Sequence, residues 1–375
     1  MLNIIVKFLT FGKFYLGKKR DILIFDAAAS NFLSLYFEIK QFSFFYSRKE
    51  KFEIIAFMVT LFKDGYKNFG RNYFFNYLRI YKPKFIFSMW ILNKNLFHVK
   101  NNFSNIKVII VQGNRIVNDD YELLSSYPSN SVDLFFTYRK FDEERIKKIL
   151  IKSDVIPIGS AKNNHFYKLE KKKEKILFFS EFKVGRFTHD EKTILKILEK
   201  YCQLNKIEFD IQLRYGNIPK EYLLSLKRNN IRNFGQLIMR KDFSSSYENS
   251  NKYKILVMTN STLNDEFISN YKKVVVLSSH NDLDDEKYKI LNCGKLRKIC
   301  FQNPMYKEML PENFSWTSTL NEEIVFKVID NVMKCNEFKW REHINKYTNR
   351  LLYDQNNRIF LNKLKDIGIK SNPIK

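Results

Sequence analysis

Long apolar runs are missing from this chain: no stretch of its 375 residues reaches the roughly 20 consecutive apolar residues of a membrane-spanning helix, so none is expected. Residues 1–15 are apolar but carry Lys7 and Lys13, and no A-x-A-like cleavage site follows them before the strand-like run at 22–25. No signal peptide is read there, and the expected location is cytoplasmic. Cysteine is scarce. Cys202, Cys293, Cys300 and Cys335 lie far apart, form no CxxC pair and have no histidine at ligand spacing, which favours buried free thiols over a zinc site. GxSxG, GxxxxGK[ST] and GxGxxG are all absent, which argues against a serine hydrolase of that type, a P-loop NTPase and an ordinary dinucleotide enzyme.

Acidic residues are outnumbered, 40 against 65 Lys and Arg, for a net charge of +25. Such a balance usually points to nucleic acid or an anionic membrane. Here glycine (11) and proline (7) are also rare while Lys, Asn, Ile, Phe and Tyr abound, the pattern that an A/T-rich genome imposes on any protein it encodes. The basic residues are dispersed apart from Lys171, Lys172, Lys173 and Lys175. Nucleic acid is therefore not the expected partner; a basic surface facing anionic lipid or a phosphorylated substrate fits better.

What the chain does have is 45% apolar residues, enough for one large or two medium domains, of which two is the expectation. Strand-like runs alternate with longer amphipathic segments. In the first half they fall at residues 21–26, 84–88, 107–112, 133–138 and 154–158, and in the second at 175–180, 209–214, 254–258 and 273–277. Most are continuous rather than alternating, which implies burial on both faces, as in a parallel sheet. The charged stretch 169–175 separates the two series and reads as a linker. Thr188 with Glu191, and Thr319 with Glu322, have capping-box spacing ahead of helical stripes. The expectation is an α/β protein with two parallel-sheet domains, closing C-terminal helices, and a ligand cleft between domains at the carboxyl ends of the strands.

Residues 254–277 are the most informative. A buried strand runs into the small-polar turn Thr259-Asn260-Ser261-Thr262, then a short helix, then another strand. Such a turn presents backbone N–H groups and hydroxyls at a helix N-terminus, where an anion such as a diphosphate is favoured. Glu266, one turn into that helix, is placed to accept hydrogen bonds from a ribose diol. The alternative is that Ser261 or Thr262 caps the helix and Glu266 is a solvated acid. Asp26 ends the first strand in the turn Asp26-Ala27-Ala28-Ala29-Ser30, which suits either a general base or a helix cap. Asp282-Leu283-Asp284 matches a DxD metal motif in form but lies late, in a polar loop, so no metal site is assigned.

The segment around Ser261-Thr262-Leu263 and Glu266 resembles the S-T-L-G-Y-E stretch of the bacterial surface carbohydrate biosynthesis proteins, transferases of the two-Rossmann-domain GT-B type related in outline to sialyl, Kdo and glycerophosphate transferases. Other pieces resemble the same family in order: residues 110–115, 158–164, 176–183, 210–214, Ser245-Ser246-Tyr247, residues 314–317, Trp340 and residues 353–357. Asn264-Asp265 departs from it, standing where the family usually has Gly-Tyr.

The resemblance implies an acceptor-binding Rossmann-like domain over 1–168, a linker over 169–175 and a donor-binding domain over 176–375. It implies a metal-independent glycosyltransferase without cofactor, whose nucleotide-activated sugar is a substrate and whose acceptor is a surface polysaccharide or lipid-linked glycan. Ser261 and Thr262 would hold donor phosphate and Glu266 the ribose, while Arg214, Lys183 and Arg186 would neutralise the leaving group. Asp26 would be the base, with Gln112, Asn114 and Arg115 touching acceptor or sugar. A CDP-linked polyol-phosphate transferase and an inactive subunit are the alternatives. Leu2, Ile4, Ile5, Phe8 and Leu9 with Lys7, Lys13, Lys18, Lys19 and Arg20 either rest on the inner leaflet or pack on the first sheet.

Overall fold

The computed structural model describes residues 13–48, 51–65, 67–116, 118–128, 130–168, 170, 172–182, 187, 189–214, 219–242, 244–259, 261–277, 313–348 and 352–372. It forms two compact units, Met1–Ala161 with Asp354–Lys375, and Lys162–Tyr353.

The first unit opens with β1 (Phe14–Tyr15), β2 (Ile22–Phe25), β3 (Phe42–Phe45) and β4 (Phe52–Glu53), followed by β5 (Phe85–Ser88), β6 (Lys107–Val111), β7 (Leu134–Thr137) and β8 (Asp154–Pro157). Six of them make one parallel sheet in the order β3-β2-β5-β6-β7-β8, while β1 and β4 pair separately. Strands such as Ile22-Leu23-Ile24-Phe25 are buried throughout because helical crossovers cover both faces of a parallel sheet. The core is aromatic: Phe25 stacks on Phe45 at 5.4 Å, and Phe45 meets Phe74 at 4.9 Å and Tyr77 at 5.2 Å. The order reverses between β2 and β5, so the crevice of this sheet lies at the carboxyl ends of those strands, at Asp26 and Met89.

The second unit contains β9 (Lys173–Phe179), β10 (Phe209–Gln212), β11 (Leu237–Ile238), β12 (Tyr253–Met258), β13 (Lys273–Leu277) and β14 (Trp316–Thr317). All are parallel, in the order β11-β10-β9-β12-β13-β14. Numbered from the unit's own first strand this is 3-2-1-4-5-6, the doubly wound arrangement of nucleotide-binding domains, with its switch point between β9 and β12. Gly235 lets β11 approach β10: an added Cβ there would stand 2.1 Å from Asp210 Oδ1, which accepts the Gln236 N–H at 2.8 Å.

Several expectations change. The charged run 169–175 is not a free linker, since Lys173 already begins β9 beside Tyr253 of β12. Residues 354–375 group with the first unit rather than the second. Asn357, in left-handed backbone at φ 53°, donates to Tyr36 Oη at 2.6 Å and to the Ala161 carbonyl at 2.8 Å. Phe360 packs edge-on against Tyr36 and Phe136 at about 5 Å. The helix Glu322–Lys334 is capped by Asn321, whose side chain accepts from Glu323 N and Ile324 N, and not by Thr319. Thr188 lies outside the described residues, and Glu191, its capping-box partner in the sequence, is buried.

Candidate functional site

The carboxyl edge of the second sheet gathers the polar groups that chemistry could use. β12 ends at Met258, and Ser261 caps the helix Thr262–Ser269 by accepting the Leu263 N–H at 3.3 Å. Glu266 is 3% exposed, so it is not the solvated acid of the capping alternative. Tyr247, on the helix Ser245–Asn251, donates its hydroxyl to Glu266 Oε2 at 2.7 Å. Asn163 donates to the Glu266 carbonyl at 2.6 Å and accepts from Asn270 at 2.9 Å, fastening the helix Ala161–Phe166 to the helix that carries the carboxylate. A carboxylate buried this way holds one orientation without paying side-chain entropy when a ligand arrives.

Cations surround it. Burial pulls the Lys162 ammonium below the ordinary lysine range, with Glu266 drawing it back up and Arg240 pushing it further down. Arg240 is likewise lowered, by burial first, and feels Tyr247, Arg214, Asp242 and Glu266. Arg214 is exposed two residues beyond the end of β10, which stops short of the strand end expected at Arg214. Lys162 and Arg240 thus act on each other and on Glu266, and Arg240 also feels Arg214, a local excess of positive charge at the strand ends. Lys183, Arg186, Asn260 and Asp282-Leu283-Asp284 lie outside the described residues. Among the described residues no cluster of three or more His, Cys, Asp or Glu could hold a metal ion.

The Asn264-Asp265 departure has a structural account. Asn264 donates its amide to the Thr259 carbonyl at 2.8 Å, closing the strand-to-helix turn from inside, and both Asn264 and Asp265 are buried. At the end of β9, Ser180 donates to Glu191 Oε1 at 2.5 Å and Tyr222 donates to the same oxygen at 3.1 Å. Burial pushes the Glu191 carboxyl up to about 8.

In the first unit, Asp26 sits at the switch point, fully buried, in left-handed backbone at φ 59° and ψ 78°. Its side chain does not cap the helix Ala27–Ser30. Arg48 grips it instead, Nη2 donating to Oδ2 at 2.8 Å and Nε reaching both oxygens at 3.1 Å, while the guanidinium lies 5.3 Å from the Trp90 ring. Gln112 is buried and committed: its amide donates to the Asn114 carbonyl at 3.0 Å and its oxygen accepts the Tyr138 N–H at 2.8 Å. It shapes the turn that exposes Asn114 and half-buries Arg115. Next to it, Arg139, Asp142 and Tyr121 form a buried network, with Arg139 Nε donating to Asp142 Oδ2 at 2.8 Å and Tyr121 to Oδ1 at 2.5 Å.

Sequence reading singled out Asp26, Glu266 and Arg214. It did not assign roles to Arg48, Lys162, Tyr247 and Arg240. Tyr247 and Lys162 fall in stretches that carry the family resemblance, whereas Arg48 and Arg240 stand in no recognisable pattern.

A family model described as "putative O-antigen biosynthesis protein" matches residues 108–367. The chain belongs to that family. This agrees with the surface-carbohydrate resemblance of its motifs. No curated relative matches. Among solved structures, the wall teichoic acid polymerase TagF is similar at a TM-score of 0.55 and 15% identity, over 94% of this chain and 90% of that one. UDP-GlcNAc 2-epimerase from Neisseria meningitidis follows at 0.54 and 12%, over 92% and 99%. A chain in the structure of accessory secretory protein 1, 2 and 3 from Streptococcus pneumoniae reaches 0.46 and 11%, and this chain spans 56% of its length. At such identities the likeness is one of fold, and the fold of this O-antigen family member is the expected pair of Rossmann-like domains.

Proposed function

We propose that this O-antigen family protein is a cytoplasmic transferase that moves a sugar from a nucleotide-activated donor to a surface polysaccharide or lipid-linked glycan acceptor. The observation that carries the reading is Glu266, buried and oriented by Tyr247 at the carboxyl edge of a 3-2-1-4-5-6 parallel sheet, with Lys162 and Arg240 acting on it and Arg214 acting on Arg240. Glu266 would accept the ribose hydroxyls, and the cations with the turn at Ser261 and Thr262 would stabilise the departing phosphate charge, a task that then needs no catalytic metal. Asp26, once Arg48 shifts its grip, would take the acceptor hydroxyl proton as that oxygen attacks the anomeric carbon and the nucleotide leaves. Asn114 and Arg115 would contact acceptor or sugar.

Transfer of a polyol phosphate from a CDP-linked donor is the second reading, favoured by the fold shared with the wall teichoic acid polymerase, which has been soaked with CDPG. Titrating CMP, CDP, UDP and GDP into the wild type, Glu266→Ala and Arg214→Ala separates the readings. Selective binding of one nucleotide, weakened in both variants, supports a donor site in the second unit, and CDP selectivity favours the polyol-phosphate version. No binding to any nucleotide by the folded protein would overturn both and leave an inactive subunit.

A further inference from the structure

Among the described residues, seven of the fifteen exposed large apolar side chains lie between residues 16 and 62 of the first unit. The helix Ile54–Val59 continues into a π-helical turn, Thr60–Asp64. One face buries Ala56, Phe57 and Thr60, with Phe57 packed edge-on against Phe14, Phe52 and Phe69. The other carries Ile54, Met58 and Phe62 at four-residue spacing, with Ile55 beside them, all exposed and Phe62 82% so. The parallel register pairs Tyr15 with Glu53, and Gly17 N donates to Glu53 Oε1 at 3.3 Å, so Leu16, itself 70% exposed, runs level with Ile54. An anchored helix with a bare apolar stripe is the geometry of interfacial insertion.

The charge around the stripe selects the occupant. Lys18, Lys19, Lys63, Lys67 and Arg71 are exposed beside it in sequence. The acids in segments 13–20 and 51–71 are only Glu53, which is buried and caps the helix by accepting from Ile55 N and Ala56 N, and Asp64, which accepts from Asn76 at 2.7 Å. Lys19, Arg20, Lys40 and Lys370 also line a cavity of about 530 Å³, in which the one lining acid, Asp21, is paired with Lys84 at 3.1 Å. We propose that this patch docks the protein on a bilayer rich in anionic lipid, Leu16, Met58 and Phe62 entering the acyl boundary while the lysines meet the headgroups. Residues 2–9, the other membrane candidate, lie outside the described residues, and the proposal depends neither on them nor on the transferase reading.

The test is flotation of the full chain with vesicles of phosphatidylcholine alone or with roughly 30% phosphatidylglycerol, at low and high salt. The wild type is expected to float with the anionic vesicles, less so at high salt. Met58→Ser with Phe62→Ser, and separately Lys18→Glu with Lys19→Glu, should each weaken binding at least about tenfold without moving the thermal midpoint, because these side chains are exposed. The indole introduced by Phe62→Trp should shift its emission to the blue on anionic vesicles, which attraction of charges alone would not produce. Equal binding to both vesicle types, unaltered binding by the serine variant, an unmoved emission, or a dimer of the wild type lost in the serine variant without any vesicle binding would each overturn the proposal.

Discussion

Tyr247 Oη stands 2.7 Å from Glu266 Oε2, so the carboxylate at the edge of the second sheet is aimed by a hydroxyl from a different helix. Tyr247→Phe removes the donor and keeps the ring, which stacks on Phe166 at 5.7 Å. The expected cost is about 1–3 kcal/mol of stability, with nucleotide affinity lowered about tenfold because Glu266 loses its fixed orientation. Calorimetric titration and thermal unfolding on the same samples separate the two effects; lost stability with unchanged affinity would confine Tyr247 to a structural role.

Glu191 predicts a pH dependence of folding. Its carboxyl is raised by burial from 4.5 to about 8 in the folded state, so between those values the native protein holds a proton that the unfolded chain has released. The contribution is fully present below about pH 4.5, is lost as pH rises toward 8 and levels off beyond. Glu191→Gln keeps an acceptor for Ser180 and Tyr222 and removes the titration. Denaturant unfolding between pH 5 and 9 should show a downward slope in the wild type that is flattened in the variant by on the order of a few kcal/mol across the range. Parallel slopes would show that Glu191 is not the group responsible.

Strands buried on both faces were legible because short continuous apolar runs rich in β-branched and aromatic residues and flanked by polar segments favour them: β2, β6, β7, β12 and β13 coincide with such runs. The edge strands were not. β11 is two half-buried residues, and three of the four residues of β3 are half-buried, so neither stands out from its surroundings. The unit boundary was misplaced because a charged run looks the same in a linker and at the start of a strand, and because the return of residues 354–372 to the first unit rests on Asn357 and Phe360 meeting Tyr36, a relation about 320 residues long that no local pattern encodes. Glu266 was legible from its strand-turn-helix setting. Arg48 and Arg240 were not, since each is one of 65 basic residues until the fold sets it beside a buried carboxylate.

Two glycines predict opposite outcomes for one substitution. At Gly235 an added methyl would meet Asp210 Oδ1 at 2.1 Å, and that carboxylate cannot retreat while it accepts from Gln236 N at 2.8 Å and from Tyr253 Oη at 2.5 Å. Gly235→Ala should destabilise by about 2 kcal/mol or more. Gly70 lies in the helix Phe69–Tyr81 with nothing within 4 Å of its would-be Cβ, so Gly70→Ala should stabilise by roughly 0.4–1 kcal/mol. Thermal midpoints displaced in opposite directions are the expected result.

Asp26 gives the sharpest test of chemistry against structure. Its backbone is left-handed at φ 59°, a conformation that Asn tolerates as readily as Asp, so Asp26→Asn should leave the backbone undisturbed. The substitution does leave Arg48 facing a neutral amide in a buried place, which should cost stability by roughly 1–3 kcal/mol. If Asp26 takes the acceptor proton, transfer should fall by about 10²–10⁴-fold while nucleotide binding, proposed for the other unit, stays at the wild-type value. Arg48→Ala supplies the control. It frees both carboxylate oxygens without removing the base, so it should lose stability but retain far more activity than Asp26→Asn. Were the two variants equally inactive, Asp26 would be a positioning residue that acts through Arg48, and the proton acceptor would have to be sought elsewhere.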